Sequence, residues 1–135
     1  MKGFVSIIAG SKSDENVVKK TVEVLKENKI QHEIKYLSAH RESDKLKEYV
    51  KDSEKKVDVY ICIAGLSAAL PGFVASQTSR PVIGVPVNVK LNGIDALLSM
   101  MQMPSGVPVA TVGIDNGKNA AHLATRILKL KYAEL

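Results

Sequence analysis

The sequence contains no tryptophan, a single cysteine and few aromatic residues, and these shortages narrow its possible functions. Cys62 stands alone in the apolar run VYICIAG, so the chain can form neither an internal disulfide nor a cysteine-based zinc site. A lone buried thiol is typical of a reducing compartment, and we therefore expect a cytoplasmic protein.

Long hydrophobic runs and metal-binding patterns are also missing. No apolar run reaches the roughly 20 residues that a membrane-spanning helix requires. The opening stretch MKGFVSIIAGSKSD does not predict a signal peptide, because its short apolar run leads into a glycine and serine loop. We find no H-x-x-x-H pattern and no cysteine cluster, and we predict no metal and no membrane contact.

Positively charged residues are only slightly more numerous than negatively charged ones. The 19 lysine and arginine residues exceed the 14 acidic residues, which gives a net charge of +5. The lysines alternate with acidic residues along predicted helix faces, and aromatic residues make up only 4% of the chain. This pattern does not favour nucleic-acid binding, but a mild positive charge suits a small anionic ligand.

The pattern that is present is a regular alternation of apolar strands with amphipathic helices. The 135 residues, 45% hydrophobic, predict one globular domain over residues 1–135. Strands are predicted at 4–10, 32–38, 57–65, 81–87 and 107–114, and helices at 14–29, 43–55, 67–78, 93–102 and over NAAHLATRILKLKYA from about Lys118. Such an order predicts an α/β fold: a doubly wound parallel sheet in a flavodoxin-like three-layer α/β/α arrangement.

The segment IDALLSMMQM (94–103) is apolar on nearly all sides when it is drawn as a helix. A helix of this kind must be covered on most faces, and one small domain has little interior to offer it. We therefore predict a subunit contact and a homo-oligomer. Burial in the core of a single chain is the alternative.

Small and reactive residues collect directly after the predicted strands. The stretches are AGSKSD (9–14), SAHR (38–41), AGLSAALPG (64–72) and VNVKLNG (87–93). Ligands of open parallel sheets bind at the carboxyl ends of the strands, where these stretches would meet. The sequence therefore predicts one binding site at this edge.

The first of these stretches has features of a phosphate site. Gly10, Ser11 and Ser13 offer backbone amides and hydroxyls near the start of a helix, which suits an anion. Asp14 would repel phosphate but can accept hydrogen bonds from a ribose diol. Together they indicate a ribonucleotide. The alternative is that Ser13 and Asp14 only cap the helix.

The second stretch places His40 beside Arg41. An imidazole can donate and accept protons at neutral pH, and a guanidinium can hold phosphate or carboxylate with two hydrogen bonds. His32 and His122 fall outside the predicted edge, so we interpret them as structural. A lone loop histidine can also be structural, but the position of His40 between two loops suited to phosphate favours catalysis.

The motifs GSKSD, SAHR, LPG, PVIGVPV, SMMQMPSGVPVATV and NAAHLATRIL, in this order and spacing, resemble the PurE family of purine biosynthesis. The resemblance extends from about Phe4 to Leu128. It implies a flavodoxin-like fold, no metal or organic cofactor, and an octamer. It also implies a reaction that converts N5-carboxyaminoimidazole ribonucleotide to 4-carboxyaminoimidazole ribonucleotide by moving a carboxyl group from nitrogen to C4.

The resemblance assigns roles to individual residues. His40 would be the general acid and base, and Arg41 would contact the phosphate. The other expected substrate-binding residues are Gly10, Ser11, Ser13, Asp14, Ser38, Ala39, Gly65, Ser67, Ala68 and Leu70. The implied mechanism releases carbon dioxide into a closed pocket near Gly65–Leu70, from which C4 captures it.

One position departs from the family pattern. The mutases usually read G-x-A-A-H-L-P-G, whereas this chain has alanine, Ala69, in place of the histidine. Ser67 and Ala69 are similar to the related carboxylases that use free carbon dioxide, but Arg41 and PVIGVPV are similar to the mutases. We favour the mutase, with the carboxylase and a catalytically inactive nucleotide-binding homologue as alternatives.

Two other protein classes share the predicted fold. A flavin-binding electron carrier would require aromatic residues at the binding edge, and the sequence offers no tryptophan and no suitably placed tyrosine there. A phosphorelay receiver would require an aspartate where the third strand ends, and this chain has Ala64 and Gly65. The sequence disfavours both.

Overall fold

The computed structural model describes residues 2–132, which form one parallel sheet between two layers of helices. The strands are Phe4–Ala9 (β1), Gln31–Tyr36 (β2), Val59–Ala64 (β3), Val82–Pro86 (β4) and Ala110–Thr111 (β5). The helices are Glu15–Glu27 (α1), Ser43–Ser53 (α2), Leu70–Gln77 (α3), Ile94–Met101 (α4) and Gly117–Lys131 (α5). The strand order β2-β1-β3-β4-β5 with parallel pairing confirms the predicted doubly wound fold.

Alternate residues of the central strands pack against opposite helix layers. In β1, Val5 and Ile7 belong to the core that α1 and α5 cover, whereas Ile8 faces α2, α3 and α4. Every residue of β3 is buried, because helices cover both faces of that strand. The apolar strands therefore follow from their central position in the sheet.

The helices α1 and α5 approach each other closely at Gly117. A Cβ atom at this position would lie 2.2 Å from Thr21 Oγ1 and 2.7 Å from the Val17 carbonyl oxygen. The Thr21 hydroxyl already donates to that carbonyl at 2.9 Å. The start of α5 therefore packs directly on the backbone of α1, and only glycine fits there.

Most elements are one to four residues shorter than predicted, and two are shortened most. The fifth strand pairs with β4 only through Ala110 and Thr111, because Pro108 has no backbone N–H to donate and Pro104 begins a turn with Val107. The third helix begins at Leu70 and not at Ser67, whose φ of +54° is left-handed and cannot continue a helix. The predicted continuation of α5 to Ala133 lies outside the described residues.

Helix α4 is buried along one side only. Ala96 and Met100 are completely buried against the sheet, but Ile94, Leu98 and Met101 are 47%, 47% and 53% exposed. These three side chains form an exposed stripe at a spacing of four and three residues. The alternative prediction, that a single chain buries the whole of this helix in its core, is therefore wrong.

Among residues 2–132, no helix is long and apolar enough to cross a membrane.

Candidate active site

The loop after β1 is organised around the Ser11 hydroxyl. The Gly10 N–H donates to the Ile63 carbonyl at 3.1 Å, which fixes the loop to β3. Ser11 Oγ accepts hydrogen bonds from the Ser13 backbone N–H at 3.2 Å and from Ser13 Oγ at 3.0 Å. Since Ser11 Oγ accepts both bonds, its own proton remains available to a ligand.

Asp14 is only 5% exposed, although it lies at the start of α1. Burial raises the pKa of its carboxyl group, a Ser11 backbone hydrogen bond opposes the rise, and the negative charge of Asp115 adds to it. Asp14 makes no side-chain capping bond to α1, and Ser13 does not occupy the cap position. The interpretation of Ser13 and Asp14 as mere helix caps is therefore wrong.

The loop after β2 is a tight turn that presents His40 and Arg41 to solvent. Ser38 Oγ accepts from the Arg41 N–H at 3.2 Å, and the Ser38 carbonyl accepts from the Glu42 N–H at 2.9 Å. The Glu42 carboxylate accepts in return from the Ser38 N–H at 3.4 Å. These bonds hold the turn while both functional side chains stay exposed.

The loop after β3 is poor in large side chains and ends at a helix without a side-chain cap. Gly65 accepts a backbone hydrogen bond from Ala68 at 3.2 Å, and Ser67 adopts a left-handed φ of +54°. Ala69 occupies the cap position of α3 and offers no side-chain hydrogen bond. No side chain therefore caps the start of α3, where Leu70 and Gly72 carry a backbone N–H but Pro71 does not, and a helix N-terminus favours negative charge.

These three loops and one residue of the loop after β4 enclose a cleft of about 380 Å³. Its size lies within the range of small-molecule sites. All of the predicted site residues line it: Gly10, Ser11, Ser13, Asp14, Ser38, Ala39, His40, Arg41, Gly65, Ser67, Ala68 and Leu70. The structure thus brings the predicted residues of all three loops to one place.

Four lining residues, Ala64, Leu66, Ala69 and Val89, were not among the predicted site residues, although Ala69 was noted as the departure from the family pattern. Val89 belongs to the stretch VNVKLNG, which the sequence predicted at this edge of the sheet without singling out Val89. It lies against Gly65, since a Cβ atom at Gly65 would fall 2.6 Å from Val89 Cγ2. Glycine at 65 therefore allows the loop after β4 to approach the loop after β3.

The other two histidines lie away from the cleft, as predicted. His32 Nδ1 is 2.9 Å from the Ile30 carbonyl, at the start of β2, and His122 lies on an exposed face of α5. Within residues 2–132, no group of three or more histidine, cysteine, aspartate and glutamate residues could hold a metal ion. The chemistry available at the cleft is that of imidazole, guanidinium, hydroxyl and carboxyl groups.

The chain has clear relatives among known proteins. Residues 4–135 match the family model described as AIR carboxylase. A protein of Methanocaldococcus jannaschii named N5-carboxyaminoimidazole ribonucleotide mutase is 57% identical over 95% of this chain and 80% of its own length. The protein of the same name from Aquifex aeolicus is 53% identical, over 99% and 81%.

Solved structures give the same result. The crystal structure of Treponema denticola PurE superposes with a TM-score of 0.90 at 35% sequence identity, over 98% of this chain and 84% of that one. Family model, curated relatives and solved structure agree over almost the whole chain. The chain therefore belongs to the AIR carboxylase, or PurE, family, which its sequence motifs predict.

Proposed function

We propose that this protein is an N5-carboxyaminoimidazole ribonucleotide mutase of de novo purine biosynthesis. The observation that carries the proposal is the cleft, in which one imidazole, that of His40, lies among groups suited to phosphate and ribose. Relatives of 57% and 53% identity bear the name of this enzyme. The carboxylase and the inactive homologue remain alternatives that the assay below distinguishes.

The polar groups of the cleft suggest how the nucleotide binds. Arg41 and the Ser11 and Ser13 hydroxyls are the cationic and neutral donors at its rim, and we assign them to the phosphate. Asp14 is assigned to the ribose hydroxyls, whose protons its carboxylate can accept. The loop after β3 then lies against the imidazole ring, because it offers backbone and small side chains.

The reaction itself requires a proton carrier and a dry pocket. The bond between the exocyclic nitrogen and its carboxylate breaks, its electron pair stays on the nitrogen, and carbon dioxide is released. C4 of the ring attacks the carbon dioxide, His40 removes the proton from C4, and a proton returns to the nitrogen. Atoms balance without any added reactant, as an isomerisation requires.

Ala69 gives this cleft one proton carrier where most mutases of the family have two histidines. His40 must then serve every proton transfer, with the exposed rim open to solvent exchange. Ala68 and Ala69 line the cleft near Gly65 with small side chains, and we assign the released carbon dioxide to this part of the cleft. The proposal therefore concentrates the proton chemistry in one imidazole.

The proposal is tested by supplying two substrates separately to the purified protein. We expect ultraviolet absorbance to record conversion of N5-carboxyaminoimidazole ribonucleotide, and little conversion of aminoimidazole ribonucleotide with bicarbonate. Conversion of the second substrate alone would indicate the carboxylase. Conversion of neither would indicate an inactive homologue.

Replacing Arg41 with alanine is expected to raise KM by about 10- to 100-fold with a small change in kcat, because a charge-assisted phosphate contact is lost. Steady-state kinetics with the N5-carboxylated nucleotide measure both constants. Arg126→Ala removes the same charge from the exposed surface of α5 and serves as the control. An equal effect of the two variants would show that only net charge matters.

We also propose that α4 packs against a second copy of the chain, in an octamer as in the family. The exposed stripe of Ile94, Leu98 and Met101 continues to Leu91, which is 73% exposed. An exposed apolar surface of this kind fits contact with another subunit. A cytoplasmic location stays a prediction.

Leu98→Glu is expected to shift the protein to monomers or smaller assemblies, since the buried charge would oppose association. Sedimentation velocity at micromolar concentration measures this. Leu130→Glu makes the same change at a leucine that is 90% exposed on α5, and it should leave the assembly intact. A wild-type monomer under these conditions would contradict the interface.

A further inference from the structure

The loop after β4, residues 87–93, reaches the cleft through one side chain. Val89 is the residue of this loop that lines the cleft, and it lies directly over Gly65. Its methyl group fills the space that a side chain at position 65 would need, since Val89 Cγ2 is 2.6 Å from the Cβ position of Gly65. Val89 is therefore the apolar wall opposite His40 and Arg41 of the loop after β2.

The position of Val89 depends on an acidic residue in the segment before α5. Asp115 Oδ1 accepts a hydrogen bond from the Asn88 N–H at 3.0 Å, one residue before Val89. The Asp115 N–H donates to the Pro86 carbonyl at 2.8 Å. Asp115 thus holds the end of β4 on both sides of Val87, through its backbone and its carboxylate.

A second contact ties the same two segments together. Gly93, which closes the loop after β4, has a left-handed φ of +82°, and a Cβ atom there would lie 2.7 Å from Ile114 Cγ2. The Val87 N–H, in turn, donates to the Ala64 carbonyl at 3.0 Å. The loop is therefore fixed at its start and at its end, and Val89 lies between these points.

We propose that Asp115 is a positioning residue. It holds Val89 over Gly65, and Val89 keeps the released carbon dioxide in the cleft until C4 of the aminoimidazole ring attacks it. The inference rests on the proposed mutase function. When the carboxylate leaves the nitrogen as carbon dioxide, two outcomes compete. Either C4 attacks it and the rearranged nucleotide forms, or it escapes, the nitrogen takes a proton from solvent, and aminoimidazole ribonucleotide is left.

The test compares two variants that both suit the left-handed φ of +61° at position 115. Asp115→Asn keeps an oxygen that can accept from the Asn88 N–H, whereas Asp115→Gly removes it. We expect Asp115→Gly to raise the ratio of aminoimidazole ribonucleotide to rearranged product by about fivefold, the effect of one lost hydrogen bond. Asp115→Asn should remain within about twofold of wild type.

Two further measurements separate this role from a general loss of structure. Val89→Ala should raise the same ratio without touching Asp115, and hydrogen exchange of the Asn88 amide should accelerate in Asp115→Gly but not in Asp115→Asn. The proposal would be overturned if Asp115→Gly left the ratio of aminoimidazole ribonucleotide to rearranged product unchanged, even if the reaction became slower.

A wild-type protein that converts neither nucleotide would contradict the mutase function itself. Hydrogen exchange of the Asn88 amide would then be the measurement that decides whether Asp115 positions the loop.

Discussion

Replacing His40 with asparagine is expected to lower kcat for the N5-carboxylated nucleotide by about 10²- to 10⁴-fold, the usual contribution of a general acid or base. Asparagine keeps much of the shape and a hydrogen-bonding amide but cannot carry a proton. The loss should be near the upper end of this range, because Ala69 leaves no second imidazole among the residues that line the cleft. Stopped-flow or steady-state absorbance assays measure the change.

Binding should change far less than turnover in this variant. Calorimetry with the product nucleotide is expected to give a dissociation constant within about threefold of wild type, since the phosphate and ribose contacts are assigned to other residues. His122→Asn, on the exposed face of α5, provides the matched control and should be fully active. A His40→Asn variant with wild-type kcat would remove His40 from its proposed role.

Replacing Gly117 with alanine is expected to lower the free energy of unfolding by about 2–4 kcal/mol. The added methyl group would lie 2.2 Å from Thr21 Oγ1 and 2.7 Å from a backbone carbonyl of α1. The hydroxyl can rotate away at the cost of its hydrogen bond, but the carbonyl can move only with the helix. Urea denaturation followed by circular dichroism measures the loss.

Gly113→Ala is the control for this substitution. A Cβ atom at Gly113 meets nothing nearer than Asn116 Cβ, at 3.7 Å, which is an ordinary van der Waals distance. We expect a change within about 0.5 kcal/mol in that variant. Equal stability of the two variants would show that α1 and α5 separate easily.

The fold was predictable because burial determined the composition of the central strands. Apart from Ser6, the residues of β1 and β3 are hydrophobic because helices cover both faces of the sheet there, and the sequence shows this directly. The fifth strand was predicted too long for a related reason. VPVATVGI is apolar enough for a strand, but proline at 108 removes a donor, and pairing with β4 is limited to two residues.

The candidate site was predictable as far as it follows from strand ends. Ser11, His40 and Ser67 meet because parallel strands carry the loops that follow them to one edge. Val89 was missed because its contact with Gly65 depends on the register of β3 and β4, where Ala64 pairs with Pro86. The local sequence pattern of neither strand predicts how β3 and β4 are aligned. The burial of Asp14 was missed for a different reason, since an aspartate directly before a helix normally caps it at the surface.

The strand order also determines when the cleft can exist during folding. Val5 of β1 pairs with His32 on one side and Val59 on the other, so both pairings join residues that lie far apart in the sequence. Such non-local pairings close long loops before they gain contacts, which slows folding. The cleft draws on loops that follow four strands, and the pairing of those strands brings the loops together. A nucleotide bound there therefore stabilises the completed sheet as a unit.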